Sequence, residues 1–168
     1  ASNHAGASVS YSKLIDAETI DPDLFLLRAE CYAATGEIQK AGSDVEKYLS
    51  FSPGSRKALS LAGKMAAASG NNLEAIRFFT ENIRLHPGDP KCYIERANSY
   101  FVSKSWQWAI NDYSMSLDLD PSDSDAWLNK GLALANQGRT GDACHDLQRS
   151  FALGNRRAAE YISRYCIK

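Results

Sequence analysis

The chain has 168 residues, 44% of them hydrophobic and 23% charged, with 19 Lys and Arg set against 20 Asp and Glu for a formal net charge of −1. That is ample apolar material for a core at an ordinary charge density, which excludes a disordered chain. The cations are scattered, with no basic stripe of the kind phosphate backbones attract, and no apolar run nears the roughly 20 residues that cross a bilayer, so nucleic-acid binding and membrane insertion are not expected. No signal or transmembrane segment is read in this chain, which makes the cytoplasm the default compartment.

Three similar stretches, "LSFSPGSRKAL", "IRLHPGDPKCY" and "LDLDPSDSDAW", place Pro53, Pro87 and Pro121 at a spacing of 34 residues. With each proline as position 32, the chain divides into an N-terminal segment (1–21), four repeats (22–55, 56–89, 90–123, 124–155) and a C-terminal helix (156–168). In the first segment "ASVSYSKLI" puts Ala7 at position 20, Tyr11 at 24, and Leu14 and Ile15 at 27 and 28. It reads either as the second helix of an incomplete repeat or as a separate docked helix.

Within the repeats, position 4 is Phe25, Leu59, Tyr93 and Trp127; position 8 is Ala29, Gly63, Ala97 and Gly131; position 11 is Tyr32, Ala66, Tyr100 and Leu134. These three positions share one face of a first helix. Position 20 is Ala41, Ala75, Ala109 and Ala143; position 24 is Val45, Phe79, Tyr113 and Leu147; position 28 is Leu49, Ile83, Leu117 and Phe151. They share one face of a second helix, so each repeat is a helix pair. Small residues at 8 and 20 let the two backbones approach while larger ones fill the space beside them.

The punctuation agrees. Asp21, Ser55, Asp89 and Asp123 stand where a side-chain oxygen can cap each first helix, and Pro22 and Pro90 follow at its first position. Gly36, Gly70 and Gly138 mark the end of three first helices, where Lys104 breaks the series and predicts a turn of different construction in the third repeat. The aspartates of "LDLDPSDSDAW" fail as a calcium loop: counting from Asp118, the sixth residue is Asp123 rather than Gly and the twelfth is Asn129 rather than Glu. Asp123 and Asp125 therefore serve the start of a helix, and Asp118 and Asp120 are solvated.

Cys31, Cys92, Cys144 and Cys166 are widely spaced without a Cys-x-x-Cys and read as free, mostly buried thiols. His4, His86 and His145 lie in separate segments, so no metal and no cofactor is expected. Nor does the chain offer a nucleophile with a base, paired carboxylates in a defined site or a phosphate-cradling glycine loop, and it is not read as an enzyme. In "NRRAAEYISRYCIK", Asn155 can cap a last helix with Ala158, Ile162, Tyr165 and Cys166 on one side and Arg157, Glu160 and Arg164 on a polar outer face.

The stretches "WLNKGLALANQG" with Ala143, and "YIERANSYF" with Ala109 and Tyr113, follow W-x2-L-G-x2-Y, then A-x3-F, then P, and the chain resembles the tetratricopeptide repeat family. Arg28, Ala62, Arg96 and Lys130 replace the leucine at position 7, and Asn155 the fourth proline. The resemblance implies an all-α fold: a right-handed α-solenoid of antiparallel helix pairs in 34-residue repeats, with a C-terminal capping helix. It also implies a non-catalytic scaffold that takes a peptide or helix of a protein partner in a concave groove lined by the first helices.

Groove positions carry Leu26, Glu30, Ser60, Lys64, Lys91, Ile94, Asn98, Phe101, Asn129, Leu132 and Asn136. Leu27, Leu61 and Val102 share such positions, with packing between repeats as the alternative. One family subtype grips the C-terminal carboxylate of heat-shock chaperones with Lys and Asn side chains. Here Asn98 and Asn129 fit but Ile94 stands in place of the first Lys, and asparagines without cations cannot neutralise a carboxylate. A segment with apolar anchors is the better match, read through Leu26, Ile94, Phe101 and Leu132 with the asparagines on its backbone. The competing reading is a structural or self-associating module of a longer protein or homo-oligomer. Its outer contact would be Trp108, which stands where other repeats have Lys40, Glu74 and Asp142, while Trp106 packs like Ile38.

Overall fold

A computed structural model describes residues 3–16 and 21–166, and among these it contains helices and short turns with no strand. Ten helices follow in order: α1 (His4–Asp16), α2 (Pro22–Thr35), α3 (Ile38–Phe51), α4 (Arg56–Ala68), α5 (Asn72–Leu85), α6 (Pro90–Val102), α7 (Trp106–Leu119), α8 (Ser124–Asn136), α9 (Thr140–Ala152) and α10 (Ala158–Tyr165). They form two compact units, Ala1–Leu85 and His86–Lys168. In the first, α1 packs on α2, α2 pairs with α3, α4 pairs with α5, and α3 also packs on α4. In the second, α6 pairs with α7 and α8 with α9, α7 packs on α8, and α10 lies on α9 and α8. None of the described helices is long and apolar enough to cross a membrane.

Each first helix begins where a short polar side chain satisfies an amide of its first turn. Asp21 accepts from the Asp23 N–H at 3.0 Å, Ser55 from Ala58 at 3.4 Å, Asp89 from Lys91 at 3.0 Å and Asp123 from Ala126 at 2.9 Å. Three first helices end at glycines of positive φ, Gly36 (81°), Gly70 (79°) and Gly138 (85°). The third-repeat turn corrects the expectation of a different construction, because Lys104 itself adopts φ 56°. The Lys104 N–H donates to the Phe101 carbonyl at 3.0 Å and Ser105 to Tyr100 at 2.9 Å, as Gly70 does to Ala67 at 3.0 Å and Asn71 to Ala66 at 2.9 Å. The bonds that terminate the helix impose the left-handed residue, whatever side chain it carries.

The close approach of paired helices is visible in burial. Ala29, Ala97, Ala41, Ala75, Ala109 and Ala143 have no exposed surface. At Gly63 a Cβ would clash with the edge of the Phe79 ring, and at Gly131 it would lie 3.0 Å from Leu147 Cγ. Position 8 is thus glycine where the bulky partner at position 24 leans closest. Within two repeats the second helix is also strapped to the start of the first: Asn82 Nδ2 donates to the Arg56 carbonyl at 3.1 Å, and Ser150 Oγ to that of Ser124 at 2.7 Å.

Three of the four replacements at position 7 have a common purpose. The Arg28 guanidinium meets Asp44 through two bonds of 2.7 and 2.6 Å, Arg96 meets Asp112 at 2.7 and 2.8 Å, and Lys130 Nζ lies 3.2 Å from Asp146. All three aspartates are about 5% exposed, so the pairs hold buried carboxylates that would otherwise be costly. Each cation also rests over an aromatic ring, Arg28 over Phe25 and Tyr32, Arg96 over Tyr100 and Lys130 over Trp127. The second repeat has Ala62 and Phe78 at these two places instead.

The C-terminal helix buries Ala158 against Leu128 and Leu147, with Tyr161, Ile162 and Tyr165 packed around them. Asn155 accepts from the Arg157 N–H at 3.2 Å and donates to Asp125 Oδ1 at 2.8 Å, so it organises the turn before the helix. The reading of four free cysteines is corrected. Cys31 and Cys92 are buried thiols, but Cys144 and Cys166 form a disulfide with their Cα atoms 5.4 Å apart. Their separation in sequence hides this, because the pairing depends on α10 folding back along α9.

Candidate functional site

The second unit collects most of the predicted groove residues. Helix α6 carries Lys91, Ile94, Asn98 and Phe101, and α8 carries Asn129, Leu132 and Asn136. Ile94 and Phe101 are half-buried and lean on the cluster of Ala97, Ile110, Tyr113 and Ala133, with Phe101 edge-on to Trp106 at 5.0 Å between ring centres. Leu132 packs in the same partial way against Leu128 and Leu147. Lys91, Asn98 and Asn136 are exposed, and Asn129 is half-buried.

Asn98 is held in one orientation. The Tyr113 hydroxyl, on the facing α7, donates to Asn98 Oδ1 at 2.6 Å. Tyr113 is 1% exposed; burial, with the Asp112 charge adding to it, pushes its phenol well above the usual tyrosine range. The phenol therefore stays protonated and donates, which leaves the Asn98 NH2 group as a fixed outward donor. Asn136 spends its own NH2 on the Leu132 carbonyl at 2.8 Å, so its oxygen is left to accept. Such a face can take a polypeptide backbone, whose carbonyl and amide groups need one donor and one acceptor.

In the first unit the reading needs correction at Leu26. It is 6% exposed and packs with Tyr48 and Ala58 in the core, because position 5 turns toward the neighbouring helices. Leu128 occupies the same position in the fourth repeat with no exposed surface. Glu30 pairs with Lys57 at 2.7 Å, so these charges offset each other; Ser60 is half-buried and Lys64 exposed. Of the three residues left between groove and core, Leu61 packs, whereas Leu27 and Val102 are 36% and 67% exposed. Trp108 is 62% exposed, with its ring stacked on Tyr100 at 6.0 Å. Sequence reasoning missed Tyr113 as the partner of Asn98. A hydroxyl at position 24 set against an amide at position 9 was the signal.

Residues 112–145 match the family model described as Tetratricopeptide repeat. The chain also superposes on YrrB, described as a TPR protein with an unusual peptide-binding site, with a TM-score of 0.80 at 14% identity over 96% of this chain and 84% of that one. At residues 112–145 the chain carries a tetratricopeptide repeat, and its fold is that of tetratricopeptide repeat proteins. A second solved structure, MamA, shares this tetratricopeptide fold with a TM-score of 0.85 at 19% identity, over 94% of this chain and 92% of that one. Among curated proteins, the DnaJ homolog subfamily C member 7 homolog of Schizosaccharomyces pombe is 26% identical over 159 residues, 83% of this chain but 33% of the relative. The tetratricopeptide array described here spans between 23% and 54% of the length of the curated relatives it matches.

Proposed function

We propose that this chain is a non-catalytic protein-interaction module whose second unit binds a peptide segment of a protein partner along α6 and α8. The observation that carries the reading is the Tyr113–Asn98 bond, which fixes an exposed amide donor beside the half-buried Ile94 and Phe101 and the open side chain of Val102. Orienting a polar group before the ligand arrives lowers the entropy cost of binding. The peptide-binding site described for YrrB supports a peptide as ligand class. Phe101 packs on Trp106 and is a poor place for a charge, so Val102 is the residue to alter. The test is selection of displayed peptides on the purified chain, followed by calorimetric titration of the selected peptide. Asn98→Ala with Val102→Glu should abolish binding at an unchanged melting temperature, and Tyr113→Phe should weaken it by about fivefold by releasing the amide. Equal affinity of wild type and the Asn98/Val102 double variant would remove the reading.

The exposed indole of Trp108 favours a second reading, self-association. Light scattering coupled to size exclusion on wild type and Trp108→Ala, over a wide concentration range, decides it. A dimer lost in the variant supports this reading, and a monomer throughout removes it.

A further inference from the structure

A cleft between successive second helices recurs at equivalent repeat positions in the two units. In the second unit it lies between α7 and α9 and is already filled. Lys130 runs through it from α8, its ammonium group 3.2 Å from Asp146 and 4.5 Å from the Trp127 ring centre, and a volume of about 260 Å³ remains. In the first unit the same cleft lies between α3 and α5, Ala62 stands in place of the lysine and Phe78 in place of the aspartate, and the volume is about 540 Å³. Its walls are apolar, with Ile38, Val45 and Met65 beside Phe78.

The rim has changed in the opposite sense. Glu46 occupies the place that Ser114 holds in the second unit. Glu74 is engaged by Arg77 at 2.8 Å, whereas no ion pair to Glu46 is present among the described residues. The cleft has therefore lost the lysine together with its buried aspartate and gained a carboxylate at the rim. In every other repeat this place takes an aliphatic stem against apolar and aromatic walls, with a cationic head beside a carboxylate. We propose that the α3–α5 cleft binds an arginine or lysine side chain supplied by a protein partner, with the stem against Met65 and Phe78 and the head at Glu46. None of the predicted groove residues lines this cleft, so the site is distinct from the surface proposed above and does not depend on it.

The chain has two methionines, Met65 in the cleft and Met115 on α7 of the other unit, which gives a built-in probe and a built-in reference. The experiment is methyl-labelled methionine NMR on the whole chain, titrated with a short leucine-flanked peptide carrying one arginine and with the same peptide carrying glutamine there. The arginine peptide should shift the Met65 methyl saturably and leave Met115 in place, and the glutamine peptide should bind at least tenfold more weakly, as expected for loss of a charge-assisted bond. Ala62→Arg with Phe78→Asp, which installs the pair of the other repeats, should abolish the shift. Glu46→Gln, an exposed change that keeps the fold whatever the double variant does, should weaken binding about tenfold. Equal binding of both peptides, persistence of the shift in Glu46→Gln, or no saturable shift of Met65 would each overturn the proposal.

Discussion

Replacing Lys104 by glycine should stabilise the protein. Lys104 has φ 56°, and an L side chain in that region costs roughly 1–2 kcal/mol. Glycine pays no such cost but loses about 0.5–1 kcal/mol more backbone entropy on folding. The side chain is exposed, and the bonds recorded at this turn are main-chain ones, from the Lys104 N–H to Phe101 and from Ser105 to Tyr100; both survive the change. The balance is a gain of about 0.5–1 kcal/mol, or roughly 1–4 °C in Tm for a chain of this size. Urea unfolding of wild type and Lys104→Gly at matched slope measures it. Gly70→Lys gives the converse: nothing lies within 4 Å of a Cβ built there, so its cost of about 0.5–1 kcal/mol is conformational alone. A Lys104→Gly protein that melts below wild type, or a Gly70→Lys protein that loses nothing, would refute the argument that one left-handed turn serves all four repeats.

Gly63→Ala should cost about 1–3 kcal/mol despite the better helix propensity of alanine, because the new methyl clashes with the edge of the Phe79 ring; a second change, Phe79→Leu, should recover part of the loss in thermal melts. The raised pKa of Tyr113 sets a sign for alkaline behaviour. Since the folded phenol ionises above the unfolded one, its contribution is complete below about pH 10 and is lost as the pH climbs beyond that. Wild type should therefore lose urea resistance above pH 10 faster than Tyr113→Phe, and parallel declines would contradict this. Cys166→Ser should loosen α10, by about 3 kcal/mol if closing the 22-residue separation acts through chain entropy. Hydrogen exchange should then rise in Tyr161–Tyr165 and stay unchanged in α6.

The periodic part of the fold was legible because it depends on local rules that repeat. Asp21, Ser55, Asp89 and Asp123 all cap as their residue types require, and the alanines at positions 8 and 20 are all fully buried. What escaped depends on contacts between segments or on bonds overriding a side chain's preference. At Lys104 the absence of glycine leaves the turn unchanged, because the main-chain bonds dictate φ. The disulfide needs the packing of α10, which no spacing rule shows. The pairs at positions 7 and 23 were readable in retrospect, since Arg28, Arg96 and Lys130 each have an aspartate 16 residues on and Ala62 has Phe78. Of the candidate groove residues, Asn98 and Asn136 have side chains held by hydrogen bonds, whereas Leu26 lies in the core because a face shared with two neighbouring helices cannot be assigned from one helix's periodicity.

The two alternative fillings at positions 7 and 23 bear on how such arrays can be recombined. Cation with aspartate and alanine with phenylalanine are each self-consistent, but their hybrids are not. Joining α6 to a copy of α5 would seat Arg96 against Phe78 without its carboxylate, and joining α4 to a copy of α7 would bury Asp112 opposite Ala62 with no counter-charge. Either hybrid leaves an uncompensated buried charge, at a cost of about 3–5 kcal/mol. The unit that can be shuffled, duplicated or deleted in this chain is therefore the whole helix pair, and crossovers inside a repeat are selected against by electrostatics even where the helices would fit.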